Sequence, residues 1–157
     1  GVIGRIDYAN TSLGIIKSYG TGASSASYAG GFVGAVYGDV TGSSFSDSYA
    51  QGNATGTMAS GGFASTVSTN TTATITFTRG YATGVVSAPG SKGGFVSGAG
   101  TTTDCYYDST TTTMGSDAAT ATGMNTALMK NSASYAAGWD FALVWDITNG
   151  VTYPFLR

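Results

Sequence analysis

The sequence predicts an all-β protein: a β-solenoid (β-helix) of about four coils of roughly 30 residues, with a small C-terminal cap that contains a short helix. Three observations lead to this prediction. A Gly-Gly-hydrophobic pattern recurs at regular spacing, a Tyr follows each copy at a nearly constant distance, and the composition disfavours helices. Gly makes up 25 of the 157 residues and Glu is absent, whereas helices favour Ala, Leu, Glu and Lys.

The first landmark is a glycine followed by two apolar residues. It appears as Gly31-Phe32-Val33, Gly62-Phe63-Ala64 and Gly94-Phe95-Val96, and Gly1-Val2-Ile3 supplies a first copy. The leading glycines stand at positions 1, 31, 62 and 94, so the copies are almost evenly spaced. Glycine is expected there because a corner requires a positive φ or a close approach of two backbones, and a Cβ obstructs both.

The second landmark is a tyrosine. Tyr19, Tyr49 and Tyr81 follow the leading glycines of the first three copies at an almost constant distance, and Tyr106 belongs to a degenerate fourth copy. We expect the repeated Tyr and Phe side chains to form columns in the interior of the stack, because core packing is the common role of such aromatics.

The period sets the size of the elements and the need to stack. About 30 residues hold three or four short strands with their turns, and fixing them costs on the order of 30 kcal/mol of backbone entropy. Each buried large side chain returns only about 1.5–3 kcal/mol, so one repeat cannot fold alone. Residues 1–108 are therefore predicted to stack, each repeat burying its neighbour.

Two segments of the repeat resemble the GLUG-motif repeats of bacterial surface proteins. Gly30–Gly34 and Ser48–Gly52 carry the match, although Phe32 stands where the motif has Leu, and Ser65 and Ser97 replace its last Gly. The resemblance implies a secreted or surface-anchored β-helical region of a large adhesin-like protein. It implies no catalytic residue within the repeats.

Residues 109–157 are predicted to form a C-terminal cap, and they also resemble the segment that often closes GLUG arrays. A loop over Thr110–Thr113 leaves the stack, and a short helix over Thr126–Lys130 is expected, capped by Thr122 or Asn125. An aromatic cluster should then cover the apolar end and open strand edges of the last coil. Its members are Trp139, Phe141, Trp145, Ile147, Tyr153, Pro154 and Phe155.

Groups suited to catalysis are few. His is absent, which excludes a His-based triad and an imidazole metal site. The Asp104/Asp108 and Asp140/Asp146 pairs are the candidates for glycosidase or lyase chemistry, and the first pair is a candidate for Ca²⁺. We interpret these Asp residues as turn and capping residues, and we expect no catalytic residue, cofactor or metal.

One segment suggests a surface role. Thr alternates with apolar residues over Thr72–Thr78, which predicts a half-buried strand with a row of hydroxyls on one face. Ordered Thr rows on a flat solenoid face can bind ice, but such a face needs the row in several successive coils. The equivalent segments Gly14–Lys17 and Ser43–Ser46 do not repeat it.

Three classes of function remain. The leading one is a non-enzymatic, extracellular structural or adhesive segment that contacts a protein or glycan at a cell surface. The second is a subunit of a self-assembling extracellular filament, in which the edge at Gly1 receives another copy, although the C-terminal cap should block simple end-to-end stacking. The third is a carbohydrate-active β-helix enzyme.

Charge and hydropathy exclude two kinds of partner. A net charge of -2 and a pI near 4.6 provide no basic field for nucleic acid, and no run of 18 apolar residues would span a membrane. Cys105 cannot form an internal disulfide; it is interpreted as a buried apolar residue, with an intermolecular bridge or reactive thiol as the alternative. Because the sequence lacks an initiator Met and Gly1 lies inside a repeat, we expect a processed chain or a piece of a longer one.

Overall fold

The computed structural model describes residues 1–7, 13–37, 42–68 and 75–157. Within these ranges the protein is all-β, and its strands pair in parallel except in one short C-terminal sheet. The prediction of an all-β protein is therefore confirmed.

The strands are short, as a repeat interrupted by several turns requires. The first repeat contains β1 (Ile3–Asp7), β2 (Gly14–Ile16), β3 (Tyr19–Gly20) and β4 (Ser24–Gly30). The second contains β5 (Val33–Tyr37), β6 (Ser44–Ala50) and β7 (Ala54–Gly61), and the third β8 (Ala64–Ser68), β9 (Thr76–Ala82), β10 (Val86–Ser87) and β11 (Lys92–Gly93). The remaining strands are β12 (Thr101–Thr103), β13 (Tyr106–Asp108), β14 (Thr122–Met124), β15 (Trp145–Asp146) and β16 (Phe155–Leu156).

Each repeat strand pairs in parallel with its counterpart in the next repeat. The first sheet has the order β1-β5-β8, and in the second β4 pairs with β7, which also pairs with β10 and β11. The third has the order β2-β6-β9-β13-β14, with β3 also on β6 and β12 also on β9. Ile3 lies opposite Val33, and Val33 opposite Ala64. The spacing of the leading glycines is thus also the register of the strands.

Phenylalanine columns form much of the buried core of the repeats. The rings of Phe32, Phe63 and Phe95 stack with centroids 4.9 Å apart at each step. Phe45 and Phe77 form a second column at 5.2 Å and meet the first edge-on. All five side chains are buried, and stacked and edge-to-face pairs each add about 0.5–1.5 kcal/mol beyond burial.

The leading glycines are required for close backbone approach. A Cβ on Gly31 would clash with the carbonyl oxygen of Gly62, and one on Gly62 with that of Gly94. Neither glycine has a positive φ. Of the two reasons expected for glycine at these places, close approach is the one that applies.

The left-handed corner of each repeat is occupied by a residue other than glycine. Lys17, Asp47, Arg79 and Asp104 have φ values of 48°, 49°, 50° and 52°. Each stands two residues before the repeated Tyr, so we call this set the corner column.

The corner column changes which way the tyrosines face. A strict period of two would place Phe45 and Tyr49 on the same side of β6. Instead Phe45 and Ala50 belong to the Phe-lined core, whereas Tyr49 belongs to a second hydrophobic cluster. The left-handed residue Asp47 lies between them and breaks the alternation. The buried copies of the repeated tyrosine therefore lie in this second cluster and not in the core that the phenylalanines fill.

The C-terminal part contains the only α-helix among the described residues, α1 (Thr126–Met129), followed by a 3₁₀ turn over Ser132–Ser134. The side chain of Asn125 accepts a hydrogen bond from the Leu128 amide at 2.9 Å, so the predicted helix and one of its two proposed caps are confirmed. Strands β15 and β16 pair antiparallel. No helix in the described ranges is long and apolar enough to cross a membrane.

Candidate functional site

The repeated tyrosines form a column that passes from solvent into the protein. The ring of Tyr49 stacks on those of Tyr19 and Tyr81, with both centroid distances 5.0 Å. Tyr19 is 56% exposed, Tyr49 7% and Tyr81 0%. Desolvation raises the pKa of Tyr81 well above its usual value, so its hydroxyl stays protonated and available as a donor.

The C-terminal aromatic residues lie against this column. Trp145 packs on Tyr49 and Tyr81 with centroids 6.0 and 6.1 Å away, and Tyr81 donates a 2.6 Å hydrogen bond to the carbonyl oxygen of Pro154. Trp139 donates through Nε1 to the Asp104 carbonyl oxygen at 2.9 Å. The cluster expected on the end of the last coil therefore lies along the side of the third sheet, with Tyr153 stacked on Tyr81 and Phe141 on Trp139.

The end of the stack is covered by a different segment, centred on Asp117. In the earlier repeats the amides of Phe63 and Ala64 both donate to the carbonyl oxygen of Phe95. In the last repeat the amides of Phe95 and Val96 donate at 2.7 and 2.6 Å to one carboxylate oxygen of Asp117. That oxygen replaces the backbone carbonyl that a further repeat would supply.

The other Asp117 oxygen holds its own loop in place by accepting from the amides of Ala119 and Ala121 at 3.0 and 3.2 Å. Burial raises the pKa of Asp117, and the four amide donors oppose that shift in part. Strand β14 completes the covering, since it pairs with β13 on the third sheet.

Charge alternates along the corner column: positive at Lys17, negative at Asp47, positive at Arg79 and negative at Asp104. Arg79 donates through Nε and Nη2 to the two oxygens of Asp47, both at 2.7 Å. This two-point pair joins adjacent repeats, and its hydrogen bond to Asp47 raises the pKa of Arg79. The pair is partly buried, with side chains 31% and 12% exposed.

Six outward hydroxyls lie in register on the third sheet beside this column. Ser44 pairs with Thr76 and Thr76 with Thr101; Ser46 pairs with Thr78 and Thr78 with Thr103. Phe45 and Phe77, between them in sequence, point into the core, so the hydroxyl residues point outward. We call this set the hydroxyl face: Ser44, Ser46, Thr76, Thr78, Thr101 and Thr103.

The hydroxyl face is available to a ligand. All six side chains are half-buried or exposed, and within the described part of the chain none of their hydroxyls makes a hydrogen bond to another residue. Neighbouring strands lie about 4.8 Å apart and alternate residues on a strand about 6.7 Å apart. The face is thus a two-by-three array of hydroxyls, and Thr72 and Thr74 of the expected row lie outside the described residues.

Three of the four carboxylates considered for catalysis, those of Asp108, Asp140 and Asp146, have structural roles. Asp108 is fully buried; it accepts from the amides of Thr110 and Thr111 and from the hydroxyls of Thr126 and Tyr153, the last at 2.6 Å. Desolvation, and to a smaller extent this contact, raises the pKa of Tyr153 to about 12.

The carboxylates of the second pair, Asp140 and Asp146, also have partners within the protein. Asp140 accepts from the amides of Ala142 and Leu143 in a tight turn. Asp146 accepts from the Ile147 amide and lies 3.4 Å from Arg157. Among the residues that the structure describes, no three His, Cys, Asp or Glu side chains group in a way that could hold a metal.

Cys105 lies in the Phe-lined core and is 3% exposed. Desolvation raises the pKa of its thiol to about 12, so the thiol is protonated at neutral pH. Of the two interpretations offered by the sequence, the structure supports the buried apolar residue.

No protein-family model, curated protein or solved structure matches the chain.

Proposed function

We propose that the chain is a GLUG-like β-solenoid segment that serves at a bacterial surface, or in a secreted protein, as a non-enzymatic structural or adhesive element. The single observation that carries the adhesive role is the hydroxyl face, which presents six ordered hydroxyls without hydrogen-bond partners among the described residues. The fold, the chemistry of this face and the state of the carboxylates each support one part of the proposal.

The solenoid is supported by the strand register. Three sheets pair residues that stand one repeat apart, as in Ile3 with Val33, Val33 with Ala64, and Ser44 with Thr76. A return to three sheets in the same order in each repeat is what a solenoid that winds once per period requires. Such an array is a scaffold whose lateral faces repeat the same chemistry.

A glycan is the ligand class that suits the hydroxyl face best. Glycans present many hydroxyls and ring oxygens, which can pair with a regular array of donors and acceptors. The adjacent corner column adds Arg79 and Asp47, but they already satisfy each other. We therefore expect recognition through neutral hydrogen bonds, with little dependence on ionic strength.

The non-enzymatic role is supported by three of the four candidate acids, Asp108, Asp140 and Asp146, whose carboxylates already have hydrogen-bond partners within the protein. Asp108 accepts four hydrogen bonds in a buried site, and Asp140 holds a turn. A general acid or nucleophile must instead present its carboxylate to a substrate. We expect no turnover of glycans by this chain.

Ice is the second candidate ligand, because Thr76 and Thr78 lie in register with Thr101 and Thr103. In the second repeat, Ser44 and Ser46 stand where the later strands have threonine. In the first repeat, Gly14 and Ile16 occupy the equivalent places. Because only two adjacent strands carry matched threonines, the area available for binding ice is small, and we rank ice below a glycan.

The filament is disfavoured by the covered end. Asp117 accepts from the edge amides of Phe95 and Val96, and β14 pairs beyond β13. A head-to-tail stack of copies would have to displace both.

The test is a glycan-binding panel with the full chain and a Thr76→Val/Thr78→Val variant. Valine keeps the branched shape and removes the hydroxyls, so the fold should be retained. We expect the variant to lose at least tenfold in affinity for a glycan that binds the parent. Thr55→Val/Thr57→Val is the matched control, because both threonines are exposed on β7 in a different sheet.

Three results would count against the proposal. Binding reduced equally by the control pair would remove the hydroxyl face from the mechanism. Thermal hysteresis or inhibition of ice recrystallisation, lost in the Thr76/Thr78 variant, would assign the face to ice. Release of reducing sugar that Asp104→Ala or Asp140→Ala abolishes would make the chain an enzyme.

A further inference from the structure

The strands of the first repeat form an edge that is open on one side. Within the described ranges, β1 pairs only with β5, β2 and β3 only with β6, and β4 only with β7. The opposite edge of the stack differs, since Asp117 and β14 cover it. The two ends of the array are therefore not equivalent.

The open edge also presents apolar surface. Tyr19 continues the Tyr column with one ring face exposed, and Val2 and Ile16 are 54% and 65% exposed. A cleft of about 270 Å³ lies between β1 and β4, lined in part by Ile3, Ser24 and Tyr28. An edge with unpaired strands, exposed aromatic surface and a cleft is suited to receiving further β-structure.

The Tyr column and the corner column indicate which residues an added repeat needs at its corner and column positions. In the repeats of this chain, the corner residue is followed two positions later by the column Tyr, as in Asp47-Ser48-Tyr49 and Asp104-Cys105-Tyr106. Charge alternates from one corner to the next, and the outermost corner residue at the open edge is Lys17. A repeat added there would place its own corner residue beside Lys17 and its own Tyr on Tyr19.

We propose that the open edge accepts one further repeat of the same pattern, whose corner residue is acidic and whose column residue is aromatic: an Asp-x-Tyr repeat. The strands of this repeat pair in parallel with β1 to β4, its Tyr stacks on Tyr19, and its acid pairs with Lys17. The inference rests on the solenoid part of the proposed function and is independent of any ligand of the hydroxyl face.

The continuity of an existing interface supports the proposed partner. The contact of the second repeat with the first already buries Tyr49 against Tyr19 and pairs Ile3 with Val33. The contact of the third with the second adds the Asp47–Arg79 pair at 2.7 Å. An incoming Asp-x-Tyr repeat would reproduce both features in the order that the charges dictate.

The test adds a copy of residues 31–61 directly before Gly1, which recreates the Gly61-Gly62 junction. Three versions are compared: the unchanged copy, and copies carrying Asp47→Asn or Asp47→Arg in the added repeat only. Tetranitromethane nitration of Tyr19, read by mass spectrometry, reports whether the ring is covered. Guanidinium unfolding reports the stability of the stack.

We expect nitration of Tyr19 to fall at least fivefold in the fusion with the unchanged copy, because its ring becomes enclosed as that of Tyr49 is. The unfolding equilibrium constant should rise about two- to fivefold with Asp47→Asn, and further with Asp47→Arg, since the pair with Lys17 is lost and then replaced by repulsion. High salt should reduce these differences.

A second fusion guards against misfolding of the first. It adds residues 62–93, whose corner residue is Arg79, and is compared with the Arg79→Asp version of the same copy. Here the substituted copy should be the more stable. Unchanged nitration of Tyr19 in both fusions would overturn stacking at this edge, and stability independent of the corner charge would overturn the Asp-x-Tyr rule.

The unfused chain supplies the remaining control. If Tyr19 becomes protected as its concentration rises, a second copy occupies the edge and the proposal is wrong. Glycan binding is measured separately on the same proteins. Its loss would contradict the proposed function while leaving the stacking result intact.

Discussion

The hydroxyl of Tyr81 donates a 2.6 Å hydrogen bond to the carbonyl oxygen of Pro154, 73 residues further along the chain. The same hydroxyl accepts from Nε2 of Gln51 at 2.9 Å, and the Tyr153 ring stacks on the Tyr81 ring at 6.2 Å. One phenol therefore joins the second repeat, the third repeat and the C-terminal segment.

Tyr81→Phe should destabilise the protein by about 1–3 kcal/mol, because it leaves a buried carbonyl and an amide without their partner. The ring and its stacking remain. Guanidinium unfolding followed by the fluorescence of Trp139 and Trp145 measures the effect, since both pack near this site. Tyr19→Phe is the control and should change stability by less than about 0.5 kcal/mol, because Tyr19 is largely exposed.

Asp117→Ala should cost about 2–4 kcal/mol, because four amides lose their acceptor at the covered end of the stack. Asp117→Asn should cost less, since its single amide oxygen can still accept from Phe95 and Val96. Hydrogen exchange of these two amides, measured by NMR, should accelerate most in the alanine variant. Equal exchange in all three proteins would contradict the role assigned to the carboxylate.

Asp117 should also give the protein a distinctive pH dependence. Its pKa is raised in the folded state, so the folded protein binds this proton more tightly than the unfolded chain. The contribution is most favourable below the unfolded pKa near 3.8 and is lost as pH rises through the raised folded pKa. The stability of the parent minus that of Asp117→Asn should therefore fall across this window; a rise would show that the pKa is lowered.

Phe63→Ala should cost about 3–5 kcal/mol, the usual range for removing a buried phenylalanine. Phe63 stacks between Phe32 and Phe95 at 4.9 Å on each side, so the cavity would interrupt the column. Phe63→Leu should cost clearly less, because leucine fills more of the space and is the residue that the resembling motif carries. Denaturant unfolding of the two variants checks the order.

Cys105 should not react with Ellman's reagent in the folded protein, because its thiol is buried and its pKa is about 12. Unfolding in guanidinium should release one thiol per chain, since Cys105 is the single cysteine. Rapid reaction under native conditions would mean that the core opens at β13.

The repeat could be predicted because its strongest determinants are local. Gly31, Gly62 and Gly94 occupy places where a Cβ would meet a neighbouring repeat or ring, and only glycine lacks that atom. The spacing of these glycines alone predicts the register of Val33 with Ala64. Asn125 as a helix cap is likewise a short-range signal.

The lateral packing of the C-terminal segment could not be predicted, because it depends on the outward face of Tyr49 and Tyr81. That face results from positive φ at Asp47 and Arg79, and left-handed geometry is commonest at Gly and, among other residues, at Asn, Asp and His. Asp also occurs in many other settings, and neither Lys nor Arg is enriched in this conformation, so residue type alone does not mark the corner. The role of Asp117 was missed for a similar reason, since one carboxylate in a loop has no pattern.

The hydroxyl face cannot be read from the sequence repeat, because one of its strands breaks the period. Thr101 lies opposite Thr76, yet it is nearer to Thr76 in sequence than Thr76 is to its other partner, Ser44. An alignment at a fixed spacing does not bring Thr101–Thr103 beside β9. Thr pairs on successive strands become visible only when the strand pairing is known.

The side-on attachment of the C-terminal segment has a mechanical consequence. A pulling force applied at Arg157 would first load its hydrogen bonds to Val144 and Trp145. It would then load the contacts of Trp145 and Pro154 with Tyr81 in the third repeat. These contacts would bear the force one at a time and would break in sequence. The hydrogen bonds between β6 and β9 would instead be loaded together in shear and would resist more strongly. The C-terminal segment would therefore detach and extend under tension before the repeats themselves unfold.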